Sequence, residues 1–162
     1  MKENLKQIHV GKGLGTLTFG NTRQEVKAML GDPSDVEKYS LSDDGGDSTE
    51  AWHYDDLDLS LSFDEENDYR LSSIAVSSED YTLEGISLIG KQKEEVLAEV
   101  ERHQWGAPEE DDEISEDNPD NSLVHIDKSS ISLWFEKGEL TELQIGPFYK
   151  NDGILWPSSG SN

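Results

Sequence analysis

The chain has 162 residues and no cysteine, with 36 acidic against 13 basic side chains and a formal net charge of −23. That balance excludes phosphate-directed nucleic-acid binding, which needs clustered lysine and arginine, and docking on an anionic membrane. The missing thiols exclude disulfides, thiolate metal sites and cysteine nucleophiles. Leu, Ile, Val and Phe supply 37 of the 162 residues, a share just above the roughly 20% below which disorder is the default. A folded domain with long polar excursions is therefore expected. No apolar run approaches the ~20 residues that span a bilayer, and the first ten residues lack the apolar stretch of a secretory signal. The chain reads as cytoplasmic.

In chain order, Gly11-Lys-Gly13-Leu-Gly15 is glycine-rich but wrongly spaced for a phosphate loop, and it reads as an N-terminal loop. Thr22 and Glu25 have capping-box spacing, Val26, Met29 and Leu30 form an i, i+3, i+4 stripe, and Gly31 with Pro33 stops the helix. Leu57, Leu59, Leu61 and Phe63 then alternate with Asp58, Ser60 and Ser62, as in a strand covered on one side. After the polar link 64–68 comes a strand through Leu71, Ile74 and Val76.

The same blocks then recur in the same order. Gly20-Asn-Thr-Arg-Gln-Glu-Val26 returns as Gly90-Lys-Gln-Lys-Glu-Glu-Val96, and Gly31-Asp-Pro33 as Gly106-Ala-Pro108. Trp52-His53-Tyr54 returns as Val124-His125-Ile126, Leu59–Phe63 as Ile131–Phe135, and Leu71–Val76 as Leu140–Ile145. In the second copy Val96, Leu97 and Val100 make the helical stripe, without a Ser or Thr cap, and that helix is expected to reach His103 or Gln104. One-sided alternation favours antiparallel pairing, and the links 64–68 and 136–138 are short enough for hairpins. The expectation is an α+β fold of two tandem α-β-β-β repeats (about 16–80 and 85–148), with helices on one face of an antiparallel sheet in two layers. They form one domain over 1–157, followed by a disordered tail, 158–162. The expected core packs Val26, Met29, Leu30, Val96 and Val100 against Trp52, Leu59, Leu61, Phe63, Ile74, Ile131, Leu133, Phe135, Leu143 and Ile145.

The segment Gly20-x-Thr22-x-x-Glu25-Val26-x-x-x-Leu30-Gly31-x-Pro33 resembles the signature of the small outer-membrane assembly lipoproteins. A duplicated form of a similar helix-plus-sheet unit occurs in the β-lactamase inhibitory protein superfamily. The resemblance implies a helical layer on an antiparallel sheet and work done by protein–protein contact rather than catalysis. The chain departs from it in having no lipobox and none of the inhibitory protein's cysteines.

Chemistry-bearing motifs are sparse. No metalloprotease, nucleophile-elbow or P-loop pattern occurs around the four histidines, His9, His53, His103 and His125. His53 and His125 occupy equivalent positions on the polar sheet face, and could approach each other if the two sheets join. The acidic stretches 43–47 and 109–120 lack the spacing of a calcium loop, and no metal or cofactor is expected. Residues 39–69 hold 11 acids and residues 103–127 hold nine, with no Lys or Arg in either window. Such matched windows point to a surface steering a cationic partner protein. The expected partner-binding residues are Trp134, His53, His125, Asp58 and Ser132 on the uncovered face, with Glu110, Asp111 and Asp112 as an acidic rim. That face also carries Ser60, Ser62, Ser73 and Gln144. The function expected is a non-enzymatic protein-binding module, in its sharpest form an inhibitor or immunity-type protein. The alternatives are a small-ligand-binding protein or enzyme with a pocket near His53 and His125, and a calcium-dependent structural protein.

Overall fold

The computed structural model describes residues 7–15, 17–40, 48–111, 121–150 and 153–156. The proposed tail 158–162, Asp112 and the acids of 43–47 lie outside them. Helix α1 (Arg23–Leu30) starts where the capping box directs: the Thr22 hydroxyl accepts from the Glu25 amide at 3.1 Å, and the Thr22 amide donates to Glu25 Oε1 at 2.8 Å. Gly31, at φ +84, ends it in a conformation that disfavours a side chain. Helix α2 (Lys93–Arg102) has no side-chain cap, and Glu94 and Glu95 complement its N-terminal dipole instead. It stops at Arg102, with His103 as its C-cap and Gln104 at φ +55.

The strands are β1 (Gln7–His9), β2 (Gly13–Leu14), β3 (Leu17–Thr18), β4 (Asp35–Ser40), β5 (Ser48–Tyr54), β6 (Leu59–Asp64), β7 (Arg70–Val76), β8 (Thr82–Leu83), β9 (Ile86–Ser87), β10 (Glu109–Glu110), β11 (Asn121–Ile126), β12 (Ile131–Glu136), β13 (Glu139–Ile145), β14 (Phe148–Lys150) and β15 (Gly153–Leu155). This is a mixed α+β fold of mostly antiparallel sheets with two helices among the described residues, and no sheet closes into a barrel. Eight strands form the main sheet in the order β10-β11-β12-β13-β7-β6-β5-β4, antiparallel throughout. Its two four-stranded halves meet at β7 and β13, where Ile74 faces Ile145, Ala75 faces Gln144 and Val76 faces Leu143.

Several expectations are corrected. Each helix precedes four strands of the main sheet, not three; β4 (Asp-Val-Glu-Lys-Tyr-Ser) is an edge strand too polar to announce itself. Gly11–Gly15 is not a free loop. β2 lies there, and a five-stranded sheet, β3-β2-β1-β8-β9, buries Ile8, Leu14, Leu17 and Leu83. Leu57 sits in a 3-10 turn over 55–57, before β6 begins. Met29 is 39% exposed, because the helix turns only Val26 fully inward and leaves Leu30 half-buried. The rest of the expected core is buried. Val26, Val96 and Val100 share one apolar cluster with Leu61, Phe63, Leu133 and Phe135 and with the small sheet's side chains.

Local contacts recur about seventy residues apart. The Gly20 amide donates to the Leu71 carbonyl at 2.9 Å and the Gly90 amide to the Leu140 carbonyl at 2.8 Å; the Leu71 and Leu140 amides donate back to Asn21 and Lys91. β-bulges fall at Ser62/Phe63 and Trp134/Phe135, and 3-10 turns over 55–57 and 127–129 end on the left-handed residues Asp58 and Ser130.

Leu61 and Leu133 are 0% and 1% exposed, so truncating either to alanine should cost roughly 2–5 kcal/mol; denaturant unfolding of L61A and L133A tests this, and a loss below about 0.5 kcal/mol would contradict the packing, since surface changes stay within that range. A second expectation concerns alkali. Tyr54 donates to the Gly31 carbonyl at 2.9 Å and Tyr81 to the Leu57 carbonyl. Burial, assisted by Asp32 at Tyr54 and by Asp58 and Asp80 at Tyr81, pushes both phenols up from 10.0 to about 12. A raised folded-state value gives stability that is complete below pH 10 and is lost as the pH rises toward 12. The stability difference between wild type and Y54F/Y81F should therefore shrink over that window; a constant difference would refute the titration.

Candidate functional site

Side chains of the main sheet alternate between the buried cluster and a second face, and register puts one row, polar except for Ala75, across that second face. It runs Asp35, His53, Ser60, Ala75, Gln144, Ser132, His125, Glu109, one residue from each strand. Strand alternation makes the row possible, since residues facing one another across a ladder share a face. His53 Nδ1 shares a hydrogen bond with Ser60 Oγ at 2.8 Å and Nε2 with Glu37 Oε1 at 2.7 Å. His125 repeats the serine contact, with Ser132 Oγ at 3.0 Å from Nδ1, while Asp111 Oδ2 stands 3.9 Å from Nε2 without a hydrogen bond between them. Gln144 Nε2 donates to Ser73 Oγ at 2.8 Å and ties the row across the β7–β13 seam.

The two histidines do not approach each other. The halves join edge to edge in one sheet, so five strand spacings separate them, about 24 Å. A concavity of about 740 Å³ lies beside His125, lined among others by Ser132, Gln144, Ser73, Lys128 and Phe148. His53 takes no part in it. Ser60 and Ser132 are mid-strand residues whose neighbouring amides serve the ladders. The Ser60–His53–Glu37 chain is hydrogen-bonded throughout, whereas Asp111 at 3.9 Å lies beyond hydrogen-bond reach of His125; an oxyanion also needs free donors aimed at it, and a ladder offers none.

The next row shows where the halves differ. In one half Ala51, Ser62 and Ser73 face each other in turn; in the other the matching residues are Leu123, Trp134 and Glu142. Leu123 is buried, and Trp134 and Glu142 are half-buried. Burial raises the Glu142 carboxyl above its ordinary value of 4.5.

Of the expected site residues, His125, Ser132 and Asp111 come together, with Trp134 one row away. Asp58 is not on the strand face; it is the left-handed end of the 55–57 turn, exposed at the sheet's margin. Glu110 faces Val124 and pairs with Lys93 of α2, so it lies on the core side, away from Trp134. Glu37 and Glu142 were missed. Glu142 was legible in principle: Leu140 and Leu143 are three apart, as are Leu71 and Ile74, where an unbroken strand spaces its buried residues by two, and such a slip marks a bulge.

Among the described residues no group of three or more His, Cys, Asp or Glu is placed to hold a metal ion, and no helix is long and apolar enough to cross a membrane. No protein-family model matches the chain, and no curated protein or solved structure matches it significantly.

The raised Glu142 carboxyl predicts a pH-dependent gain. A raised folded-state value means the charged group disfavours folding at neutral pH, and the penalty disappears as the pH falls below 4.5. E142Q should therefore be more stable than wild type at pH 7 and equal to it below pH 4.5 in thermal unfolding; a variant less stable at pH 7 would contradict this.

Proposed function

We propose that the chain is a non-enzymatic, cytoplasmic protein-binding module of the inhibitor or immunity type, which captures a basic partner on the second face of its main sheet. It is built as two tandem helix-plus-sheet units, about 16–80 and 85–148, with both helices on the buried face, as the resemblance to the duplicated inhibitory-protein superfamily implies. The paired hydrogen bonds, bulges and turns seventy residues apart support the duplication. One observation carries the functional reading. The second face of the eight-stranded sheet is mostly polar and half-exposed among the described residues, and it carries a large aromatic, Trp134, where the other half has Ser62. Interface centres are enriched in such aromatics, and the net charge of −23 steers cations toward the protein. The concavity beside His125 favours a second reading, a site for a small polar ligand.

Photo-crosslinking separates the readings. A benzophenone side chain placed at Ser132 or Ser60 should crosslink a basic protein in cells expressing the variant, and one at Met29 on α1 should not. Equal crosslinking from Met29, or none from the sheet face, would overturn the proposal. With the partner in hand, W134A should remain folded and bind at least tenfold more weakly, about 1.4 kcal/mol.

A further inference from the structure

We infer that Trp134 and Glu142 form a receptor for an arginine side chain, presented by the basic partner proposed above. The inference rests on that reading and names the group recognised. The two residues face each other across β12 and β13, so their Cβ atoms stand about 5 Å apart on the second face. Among the described residues no hydrogen bond or ion pair reaches the Glu142 carboxylate, although the side chain is half-buried. A desolvated carboxylate without a cation is costly. A guanidinium would remove that cost, because its planar fork pairs with a carboxylate while its face lies on an indole.

The molecule already contains this arrangement in completed form. Arg23 lies over the Tyr69 ring at 4.1 Å and pairs with Glu50 at 3.0 Å, and Glu50 also accepts from the Trp52 indole at 2.6 Å. At Trp134 and Glu142 the aromatic and the carboxylate are present and the cation is missing from the described residues. The neighbouring half, with Ser62 and Ser73 in these positions, has neither element. The site therefore gives one half of an otherwise matched face a chemical preference.

The probe is an acetylated, amidated hexa-arginine peptide, titrated into ¹⁵N-labelled protein at physiological salt and read by indole and amide resonances, with W134F assigning the Trp134 indole. The expected result is a saturating shift of the Trp134 indole and the Glu142 amide. E142Q should weaken the peptide at least tenfold, whereas E101Q, which removes the same charge from the exposed face of α2, should change affinity less than twofold. If amides of Ser60 and Gln144 shift while the Trp134 indole stays still, or if E142Q and E101Q weaken binding equally, the arginine receptor is refuted and the sheet-face reading stands. If shifts occur only off the sheet face, both fall. Hexa-lysine binding as tightly as hexa-arginine would also refute the receptor, since an ammonium cannot form the fork.

Discussion

The pairing of β7 with β13 is the constraint on which the rest of this molecule depends. Three facing pairs, Ile74 with Ile145, Ala75 with Gln144 and Val76 with Leu143, join two four-stranded halves into one sheet. On the core side this contact is apolar: Ile74, Val76, Leu143 and Ile145 are all at most 2% exposed. On the other side Gln144 reaches Ser73. Without the seam, β7 and β13 would each present a row of unpaired amides and carbonyls, a template for aggregation. With it, the long edge strand is β4, whose Asp35, Glu37 and Lys38 carry charge, and charged edges resist further pairing.

Joining the halves also makes the second face continuous. Neither half alone has a row longer than four residues; together they span His53 to His125 across a single face. The His53–Ser60 and His125–Ser132 contacts recur at matching ladder positions of the two halves. The contrast between Ala51, Ser62, Ser73 and Leu123, Trp134, Glu142 shows that they do not keep one chemistry. Function on such a scaffold lies in the side chains mounted on it and not in the fold, and here the mounted difference is an aromatic beside a desolvated carboxylate.

How much of this was legible in the sequence depends on where burial leaves a periodic trace. The helix at Thr22 was legible because a cap is a local hydrogen-bond pattern. Strands β6 and β12 were legible because every second residue is apolar. β4 was not, since an edge strand with Asp, Glu and Lys has no apolar period. The small sheet around Gly13 and Leu14 was missed because its strands are two or three residues long and owe their existence to long-range pairing, such as the parallel contact of Ile8 with Leu83. At the site, alternation placed His125, Ser132 and Trp134 on one face correctly. It misplaced Asp58, because a strand-like period continued into a turn, and it left the distance between the two histidines open, because alternation says which face a residue takes and nothing about which strands are neighbours.

The continuity of that face is the central claim, and the cysteine-free chain allows a clean test. Spin labels at H53C and H125C, measured by pulsed electron resonance, should give one narrow distance distribution consistent with a backbone separation of about 24 Å, five strand spacings. A broad distribution, or one centred at roughly twice that span or more, would mean that the halves are not joined at β7 and β13 and that no single face exists for a partner to bind.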